Sequence, residues 1–348
     1  MRTLSSKAWE LDQANRSADS STQTILSVLK TYPSNEVAIL GCHAARISRH
    51  SCEYDLLVAS RDATPPKYSR VGDSYAEIFF RSEKELRDPD PEFGASLARA
   101  TVLRDNALLL ASSMANSKRR FKQNCAKAAE THLAAALKAL GRVDEMVESH
   151  PPDADFWLVS AAVDLAVSEV FSSQQLPAPS HLLTQMKGLS KRKSASFKEW
   201  SEASGLGLAS RTSCENRLEA IAILHDVLKT TSMDTKMALK FGRYRSDDAV
   251  AIVRQKAGEL LASRDTVECF SFLGVEAVRT VLDLHAVHCH SLGKKPDYAN
   301  VTSELASGPD RLISQELLRG LGLTRHPGLV KPGANALRAA VSSLATNM

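Results

Sequence analysis

Short apolar runs alternate with polar, turn-forming stretches in the first part of the chain. An amphipathic segment at 21–31 carries its apolar side chains at helical spacing. Three apolar runs follow at 37–40, 55–60 and 76–80, and their length is typical of buried strands. The stretch 61–74 contains adjacent prolines and a glycine, which predict a loop. The pattern therefore predicts a small mixed α/β unit at the start of the chain.

The spacing of apolar positions changes to a helical period in the rest of the chain. The segment 95–141 is rich in alanine, and Gly141 is the expected end of its last helix. Further helical segments alternate with breakers, and no strand-like alternation returns. We therefore expect an α+β fold, with a small α/β head followed by a large all-α helical body. The predicted segments are the α/β head at 1–92, a helical domain at 93–200 and a further helical region at 201–348.

The composition agrees with a largely helical protein. The chain has 348 residues, of which 43% are hydrophobic and only 5% are aromatic, a bias that favours helices over a β-sandwich. The formal net charge is +4. Because this excess is small, binding of nucleic acid requires local basic clusters rather than the total charge.

The cysteines and the N-terminal sequence indicate a cellular compartment. The six cysteines are scattered without a CxxC pair, which is typical of a reduced, cytosolic chain. The N-terminal stretch lacks the apolar core of a signal peptide, and no apolar run is long enough to span a bilayer. We therefore expect a cytoplasmic protein without a membrane partner.

Basic clusters in the predicted helices offer contacts for phosphate groups. Each of three clusters contains an aromatic side chain for stacking on a base. They are residues 117–123 with Phe121, 187–198 with Phe197, and 236–245 with Tyr244. Singly, each cluster is explained as a solvated helix face. Together they indicate a polyanionic partner, and they do not distinguish nucleic acid from a nucleoside triphosphate.

Carboxylates stand where the second predicted strand begins. Residues two apart on a strand point to the same face, so Glu53 and Asp55 project into one small volume. Two like charges this close favour a cation, and Mg²⁺ binds a few carboxylates together with phosphate oxygens. Glu77, inside the third apolar run, is the candidate third acid, and Asp73 in the preceding loop is its rival. The alternative interpretation is a pair of solvated acids at the start of a strand.

This stretch resembles the DNA polymerase β-like nucleotidyltransferase superfamily, especially its small prokaryotic members. The signature of that superfamily is a Gly-Ser corner, a short helix with small residues and an arginine, and Asp-x-Asp opening an apolar strand. The matching positions here are Gly41-Cys42, Ala44 and Arg46, and Glu53-Tyr54-Asp55. The resemblance covers roughly residues 22–90.

The resemblance implies a Mg²⁺-dependent nucleotidyltransferase. Such an enzyme transfers a nucleoside monophosphate from a nucleoside triphosphate, such as ATP, to an acceptor and releases pyrophosphate. The helical body would help to hold the acceptor, which could be a nucleic acid, a small molecule or a protein. By this resemblance the catalytic metal ligands are Glu53, Asp55 and Glu77, and the nucleotide-binding residues are Gly41, Cys42 and Arg46.

Two departures from the signature define an alternative. Cys42 replaces a serine hydroxyl, a good donor to phosphate, with a weakly donating thiol. Glu53 is one methylene longer than the usual aspartate, although Mg²⁺ holds its ligands in a strict geometry. The alternative is a catalytically degenerate head that acts, with the basic helices, as a scaffold for nucleic acid or another partner.

The histidine-rich stretch 285–295 allows several interpretations. His285 and Cys289 are one helical turn apart and could both bind a metal ion, with His288 and His290 close by. No distant second ligand pair is evident, so a helix C-terminus enriched in histidine is the favoured interpretation. Arg279 and His285 also loosely resemble the Arg-x-His pattern of the helical HEPN ribonucleases.

Overall fold

The chain folds into two compact units. The computed structural model describes residues 24–49, 52–62, 64–71, 74–190, 196–296, 298, 300–307 and 312–347. The first unit contains the chain up to Arg119 together with Leu239–Ile252, and the second contains Arg120–Ala238 and Val253–Met348. The first carries a small sheet, and the described part of the second is helical. The predicted α+β class is confirmed.

The first unit is built on a mixed, five-stranded sheet. Its strands are β1 (Val37–Ile39), β2 (Tyr54–Ala59), β3 (Lys67–Val71), β4 (Ser74–Arg81) and β5 (Thr101–Arg104). Their spatial order is β3-β4-β2-β1-β5. The strands β2 and β4 are parallel neighbours, whereas the other neighbouring pairs are antiparallel.

Helices cover both faces of this sheet. They are α1 (24–31), α2 (Gly41–Ala44), α3 (Glu83–Arg87), α4 (Pro91–Ala98) and α5 (Leu109–Arg119). Leu56 and Val58 of β2 pack on one face in a cluster that includes Val28 of α1. Leu57 and Ala59 pack on the other face, in a cluster with residues of α3, α4 and α5. Burial on both faces explains why β2 is an almost continuous apolar run.

The two edges of the sheet differ from the sequence-based expectation. The predicted strands at 37–40, 55–60 and 76–80 correspond to β1, β2 and β4. However, β3 lies in the stretch predicted as a loop, and β5 lies in the segment predicted as helical. Each is an edge strand with one neighbour, and its described residues are exposed or half-buried. Edge strands need little apolar sequence, so their pattern is weak.

The predicted segment boundary after residue 92 falls inside α4. The first compact unit continues past this point through β5 and α5. The three-part division of the chain into 1–92, 93–200 and 201–348 stays a prediction.

Eleven further helices follow among the described residues, and most of them belong to the second unit. They are α6 (Phe121–Met146), α7 (Pro151–Ser172), α8 (Leu182–Ser190), α9 (Phe197–Ala203), α10 (Arg211–Thr230), α11 (Thr235–Phe241), α12 (Asp248–Ala262), α13 (Thr266–Ser291), α14 (Val301–Ser307), α15 (Gln315–Gly320) and α16 (Pro327–Asn347). In the second unit, α6 packs against α7, α10 packs against α13, and α16 contacts α6, α7 and α9.

The helix α6 does not end at Gly141, where the sequence predicted its end. It continues to Met146, and Val143 and Met146 extend its buried face. Gly141 itself is exposed, and beyond its chain neighbours and its own helix backbone no atom of the described residues lies within 4 Å of the place where a Cβ would lie. Tertiary burial of the following turn therefore outweighs the weak helix propensity of one glycine.

Buried charged groups connect the helices of the second unit. Asp155 accepts hydrogen bonds from the backbone N–H and Nε of Arg325, at 2.8 and 2.6 Å. Arg217 is also buried, donates to the carbonyls of Phe270 and Leu321, and has its pKa lowered to about 10 by that burial. Loss of one partner would leave a buried charge unpaired, so these groups help to fix the helix positions.

Candidate metal centre

Three acids meet at the centre of the sheet in the first unit. Asp55 of β2 and Glu77 of β4 are directly paired neighbours in the parallel register. Glu53 lies two residues before Asp55, immediately outside the strand, so its side chain points to the same face. One carboxylate oxygen from each acid lies within 4.8 Å of the other two. The structure thus brings together the three acids that the sequence predicted as metal ligands.

The chain before β2 is held in place by short-range contacts. The backbone N–H of Leu40 donates to the carbonyl of Asp55 at 2.8 Å. The His43 ring stacks on Tyr54 with ring centroids 4.0 Å apart, and its Nε2 lies 3.1 Å from the carbonyl of Cys52. These contacts fix the start of β2, and with it the two carboxylates that flank Tyr54.

Gly41 provides the space that the Asp55 carboxylate occupies. A Cβ on Gly41 would lie only 1.7 Å from Oδ2 of Asp55. The backbone of Gly41 is also left-handed, with φ +61°, a conformation that residues with a Cβ rarely adopt. Glycine is therefore required here for two independent reasons, both linked to the position of the candidate metal ligand.

The donor set fits a hard divalent cation. Oxygen ligands about 2.1 Å from Mg²⁺ lie about 3 to 4 Å from one another. The carboxylate oxygens of Glu53, Asp55 and Glu77, within 4.8 Å of one another, reach such distances with small side-chain movements. Glu77 is buried, and the other two acids are half-buried. Three carboxylates gathered in one small volume are a donor set that favours a bound cation.

An open cleft of ≈ 370 Å³ borders Gly41 and Asp55. It is lined by Leu40, Gly41, Asp55, Phe79, Arg81, Asp90, Glu92, Phe93 and Ser96. The Arg81 guanidinium lies over the Phe93 ring, 5.3 Å from its centroid. The carboxylates outnumber the single arginine in this lining. A free triphosphate would therefore be repelled unless a cation neutralises the acids.

The predicted nucleotide-binding residues do not all lie at the cleft. Gly41 lines it, whereas Cys42 and Arg46 are not among its described lining residues. Cys42 is buried, and the pKa of its thiol is raised by a hydrogen bond with Cys52, by burial and by the nearby acids. Arg46 is exposed and left-handed, with φ +58°. A role for these two side chains in nucleotide binding stays a prediction.

The basic clusters differ in what they expose. Tyr244 is buried, so it is not available for stacking on a base, contrary to the sequence-based expectation. Phe121 and Phe197 are half-buried. Part of the second cluster, residues 191–195, lies outside the described residues, as does Asp73, the rival of Glu77.

Sequence reasoning missed Arg81 and Phe93, which form part of the cleft wall. Arg81 follows Glu77 and Phe79 at every second position of β4, so strand periodicity could have placed it on the same face. Phe93 lies on α4, and no local pattern connects it to the acids. Its place became evident only from the packing of α4 on the sheet.

Comparison with known protein families finds no match for this chain, and a search of curated proteins finds no relative. None of the helices in the described ranges is both long and apolar enough to cross a bilayer. The resemblance of the first unit to nucleotidyltransferases stays a prediction from the residues described above.

Proposed function

We propose that the protein is a Mg²⁺-dependent nucleotidyltransferase whose catalytic head is the first unit. The observation that carries the proposal is the convergence of Glu53, Asp55 and Glu77 from two parallel strands. A second support is the cleft beside Asp55, whose wall includes Gly41. The reacting phosphates of a nucleoside triphosphate would lie at the acids, where a divalent ion offsets the negative charge of both.

Each group of the site has a chemical task in this proposal. Glu53, Asp55 and Glu77 would hold Mg²⁺, which when bound neutralises phosphate charge and stabilises the leaving oxygen. Arg81 would leave the Phe93 ring to pair with a phosphate oxygen, which would free that aromatic face for the base. An acceptor oxygen forms a bond to the α-phosphorus as the bond to the bridging oxygen breaks. Pyrophosphate leaves with that electron pair, and the acceptor proton passes to a carboxylate or to water.

The proposal also gives the helical unit a task and the protein a cellular compartment. The basic helices would hold the acceptor by contacts with its charged groups. All six cysteines are buried thiols, as suits a protein of the reducing cytoplasm, where we place it. The acceptor class is left open between nucleic acid, a small molecule and a protein.

Calorimetric binding of ATP, GTP, CTP and UTP, with and without Mg²⁺, tests the proposal. The wild-type chain should bind at least one nucleotide only when Mg²⁺ is present, because the acidic cleft repels a free triphosphate. Asp55→Asn should lose this binding. Asp88→Asn is the matched control, since Asp88 is an exposed acid of the same unit outside the cleft, and it should bind as the wild type does.

Two results would contradict the proposal. One is a folded wild-type chain that binds no nucleotide with Mg²⁺, and the other is binding that survives Asp55→Asn unchanged. Circular dichroism of each variant establishes that the chain is folded before its binding is compared.

A degenerate head is the second candidate function, and the orientation of Cys42 favours it. The thiol that replaces the expected hydroxyl is engaged with Cys52 rather than at the cleft. A scaffold of this kind would bind nucleic acid through the basic helices, without Mg²⁺, and its affinity would fall steeply with salt. Salt-dependent binding of labelled RNA or DNA without Mg²⁺, by a folded chain that binds no nucleoside triphosphate with Mg²⁺, distinguishes it from the enzyme.

A further inference from the structure

A second group of potential metal ligands lies in the helical unit. His285 and Cys289 are one turn apart on α13, and Glu304 lies on α14. Nε2 of His285 is 2.6 Å from Oε2 of Glu304. Sγ of Cys289 is 3.5 Å from that nitrogen and 3.9 Å from that oxygen. One nitrogen, one sulfur and one oxygen donor therefore converge on a single point.

The cluster is enclosed on one side and accessible on the other. The side chain of His285 is 0% exposed, whereas that of Glu304 is 39% exposed. Cys289 is buried. The carboxylate can therefore move to admit an ion from solvent, whereas the histidine and the cysteine are held by the surrounding core.

We propose that His285, Cys289 and Glu304 form a zinc site. Thiolate and imidazole together favour Zn²⁺ over Mg²⁺, which prefers oxygen ligands. Ligand atoms of a tetrahedral zinc ion, at about 2.0 to 2.3 Å from it, lie about 3.4 to 3.6 Å apart. The two distances from the sulfur are close to these values.

The distance between His285 and Glu304 shows how an ion would enter the cluster. The nitrogen of His285 and the oxygen of Glu304 are at hydrogen-bond distance, closer than two zinc ligands. Withdrawal of the Glu304 carboxylate by about 1 Å would bring this pair to the tetrahedral spacing. Three protein ligands then leave the fourth position of the ion for water. The bound ion would connect α13 to α14.

The helix that carries Glu304 is fixed by a buried acid. One oxygen of Asp153 accepts hydrogen bonds from the backbone N–H and the hydroxyl of Thr302, at 2.6 and 2.8 Å. The other oxygen accepts one from the backbone N–H of Ser303 at 3.3 Å. Asp153 is fully buried on α7. The start of α14 is thus anchored, which sets the backbone position of Glu304 relative to α13.

The contacts of the His285 ring also point to this cluster. Its Nε2 contacts both Glu304 and Cys289, while its Nδ1 has no hydrogen-bond partner within the described part of the chain. Of the neighbouring histidines, His290 is turned to Asp234, with Nε2 at 2.7 Å from Oδ2. The ring orientation of His285 is therefore set by the groups that would bind the metal.

A histidine-rich helix end and a ribonuclease site both account for fewer of these contacts. A helix end enriched in histidine does not require an acid from another helix and a thiol to meet a fully buried histidine. The ribonuclease resemblance requires Arg279 and His285 to reach a phosphate. However, His285 is enclosed, and Arg279 lies 3.7 Å from Glu276 in an ion pair. The zinc site uses all three groups.

Titration of the full-length, metal-free chain with Co²⁺ tests the proposal. Co²⁺ accepts the ligands of zinc, and its bond to a thiolate gives a charge-transfer absorption in the near ultraviolet. The wild-type chain should develop this band with one equivalent of Co²⁺, and added Zn²⁺ should remove it. Cys289→Ser should abolish the band.

Two controls assign the band to this cluster. Cys125→Ser removes another buried cysteine of the same unit and should keep the band. Asp55→Asn should also keep it, so that the result is independent of the proposed nucleotidyltransferase site. No band in a folded wild-type chain, a band that survives Cys289→Ser, or a band lost in Asp55→Asn would each overturn the zinc site.

Glu304→Gln provides a test if Cys289→Ser does not fold. Its side chain is partly exposed, and the substitution preserves its size while it removes the anionic ligand. We expect Zn²⁺, measured by competition with Co²⁺, to bind at least about tenfold more weakly, since even the loss of a group that only hydrogen-bonds a metal ligand weakens binding by this much. Unchanged zinc affinity in this variant would contradict the proposed ligand set.

Discussion

The two candidate metal clusters are assembled by different secondary structures. In the α/β unit, Glu53 and Asp55 share a face because strand side chains repeat every two residues, and Glu77 joins them from the parallel neighbour. In the helical unit, His285 and Cys289 share a face because helical side chains repeat about every four residues. In each case one local pair is completed by a residue from a second element.

The donor atoms of the two clusters differ as much as their scaffolds. The sheet cluster offers only carboxylate oxygens, and its Asp55 borders an open cleft, which suits a hard ion that must also contact a ligand. The helical cluster offers nitrogen, sulfur and oxygen around an enclosed histidine. The two donor sets therefore favour metal ions of opposite preference. We therefore expect each site to respond to its own ion and its own substitutions.

The largest expected effect is the loss of hard-metal binding on Glu77→Gln. Glu77 is the most buried acid of its cluster and the paired neighbour of Asp55. We expect Mn²⁺, used as a spectroscopic substitute for Mg²⁺, to bind more than about 100-fold more weakly, because losing a ligand should exceed the effect of losing a group that only orients one. Electron paramagnetic resonance of free Mn²⁺ measures the affinity.

Two matched variants sharpen this result. Glu83→Gln removes an exposed acid whose partner is Arg87 on the same helix, and it should leave Mn²⁺ affinity unchanged. Cys289→Ser should also leave it unchanged, because Mn²⁺ prefers oxygen ligands. Loss of Mn²⁺ binding in Cys289→Ser, or its retention in Glu77→Gln, would show that the two clusters do not divide the metals as we propose.

The glycine of the sheet site should carry the next largest effect. Gly41→Ala places a Cβ against the Asp55 carboxylate and strains a left-handed backbone. We expect the free energy of unfolding to fall by about 2–4 kcal/mol, in the lower part of the roughly 2–6 kcal/mol that overpacking and backbone strain add up to, because the Asp55 carboxylate can turn away. Mn²⁺ binding should weaken as well, since Asp55 must move. Urea denaturation and the Mn²⁺ titration measure the two effects.

Gly141→Ala is the opposite case and the control for that experiment. Gly141 is exposed in the C-terminal part of α6, with open space where a Cβ would lie. Alanine should raise the free energy of unfolding by about 0.5–1 kcal/mol, because it restricts the unfolded chain and favours the helix. Equal effects at the two glycines would contradict the close contact between Gly41 and Asp55.

Sequence reasoning succeeded where local periodicity carries the information. The central strands were predicted because burial on both faces makes them nearly continuous apolar runs. Glu53 and Asp55 were predicted to meet because side chains two residues apart along a strand point to the same face. Glu77 was chosen as an acid that stands in an apolar run, and the parallel pairing of β2 with β4 gives that choice a structural reason.

Sequence reasoning failed where position depends on tertiary packing. Edge strands such as β3 and β5 carry weak apolar patterns, because each pairs with only one neighbouring strand and buries fewer of its side chains. The contact of Glu304 with His285 was missed because an acid in a short helix is ordinary, and only the packing of α14 on α13 brings it to His285. The same holds for Phe93, which reaches the cleft through the packing of α4.

The smallest expected effect comes from Cys42, the position that departs from the nucleotidyltransferase signature. Its thiol is hydrogen-bonded to Cys52, and the pKa of Cys42 is raised by that bond and by burial, so it stays a neutral thiol. A hydroxyl in its place would meet the same neighbour. We therefore expect Cys42→Ser to change nucleotide affinity by less than about fivefold, the worth of about one hydrogen bond. Calorimetry with Mg²⁺ and the preferred nucleotide measures it.

Cys52→Ser helps to distinguish two interpretations of the Cys42 thiol. It either replaces the serine without harm or obstructs the phosphates of the nucleotide. Cys52→Ser changes the partner of Cys42 without touching the residue in the signature, so its effect on nucleotide affinity should be equally small. If Cys42→Ser alone raises affinity tenfold or more, the thiol obstructs the phosphates, and the head is an enzyme that has lost part of its site. Alternatively, neither cysteine substitution changes nucleotide affinity, while Asp55→Asn abolishes binding. The acids and Gly41 are then sufficient to bind the nucleotide, and the thiol is a tolerated replacement for serine.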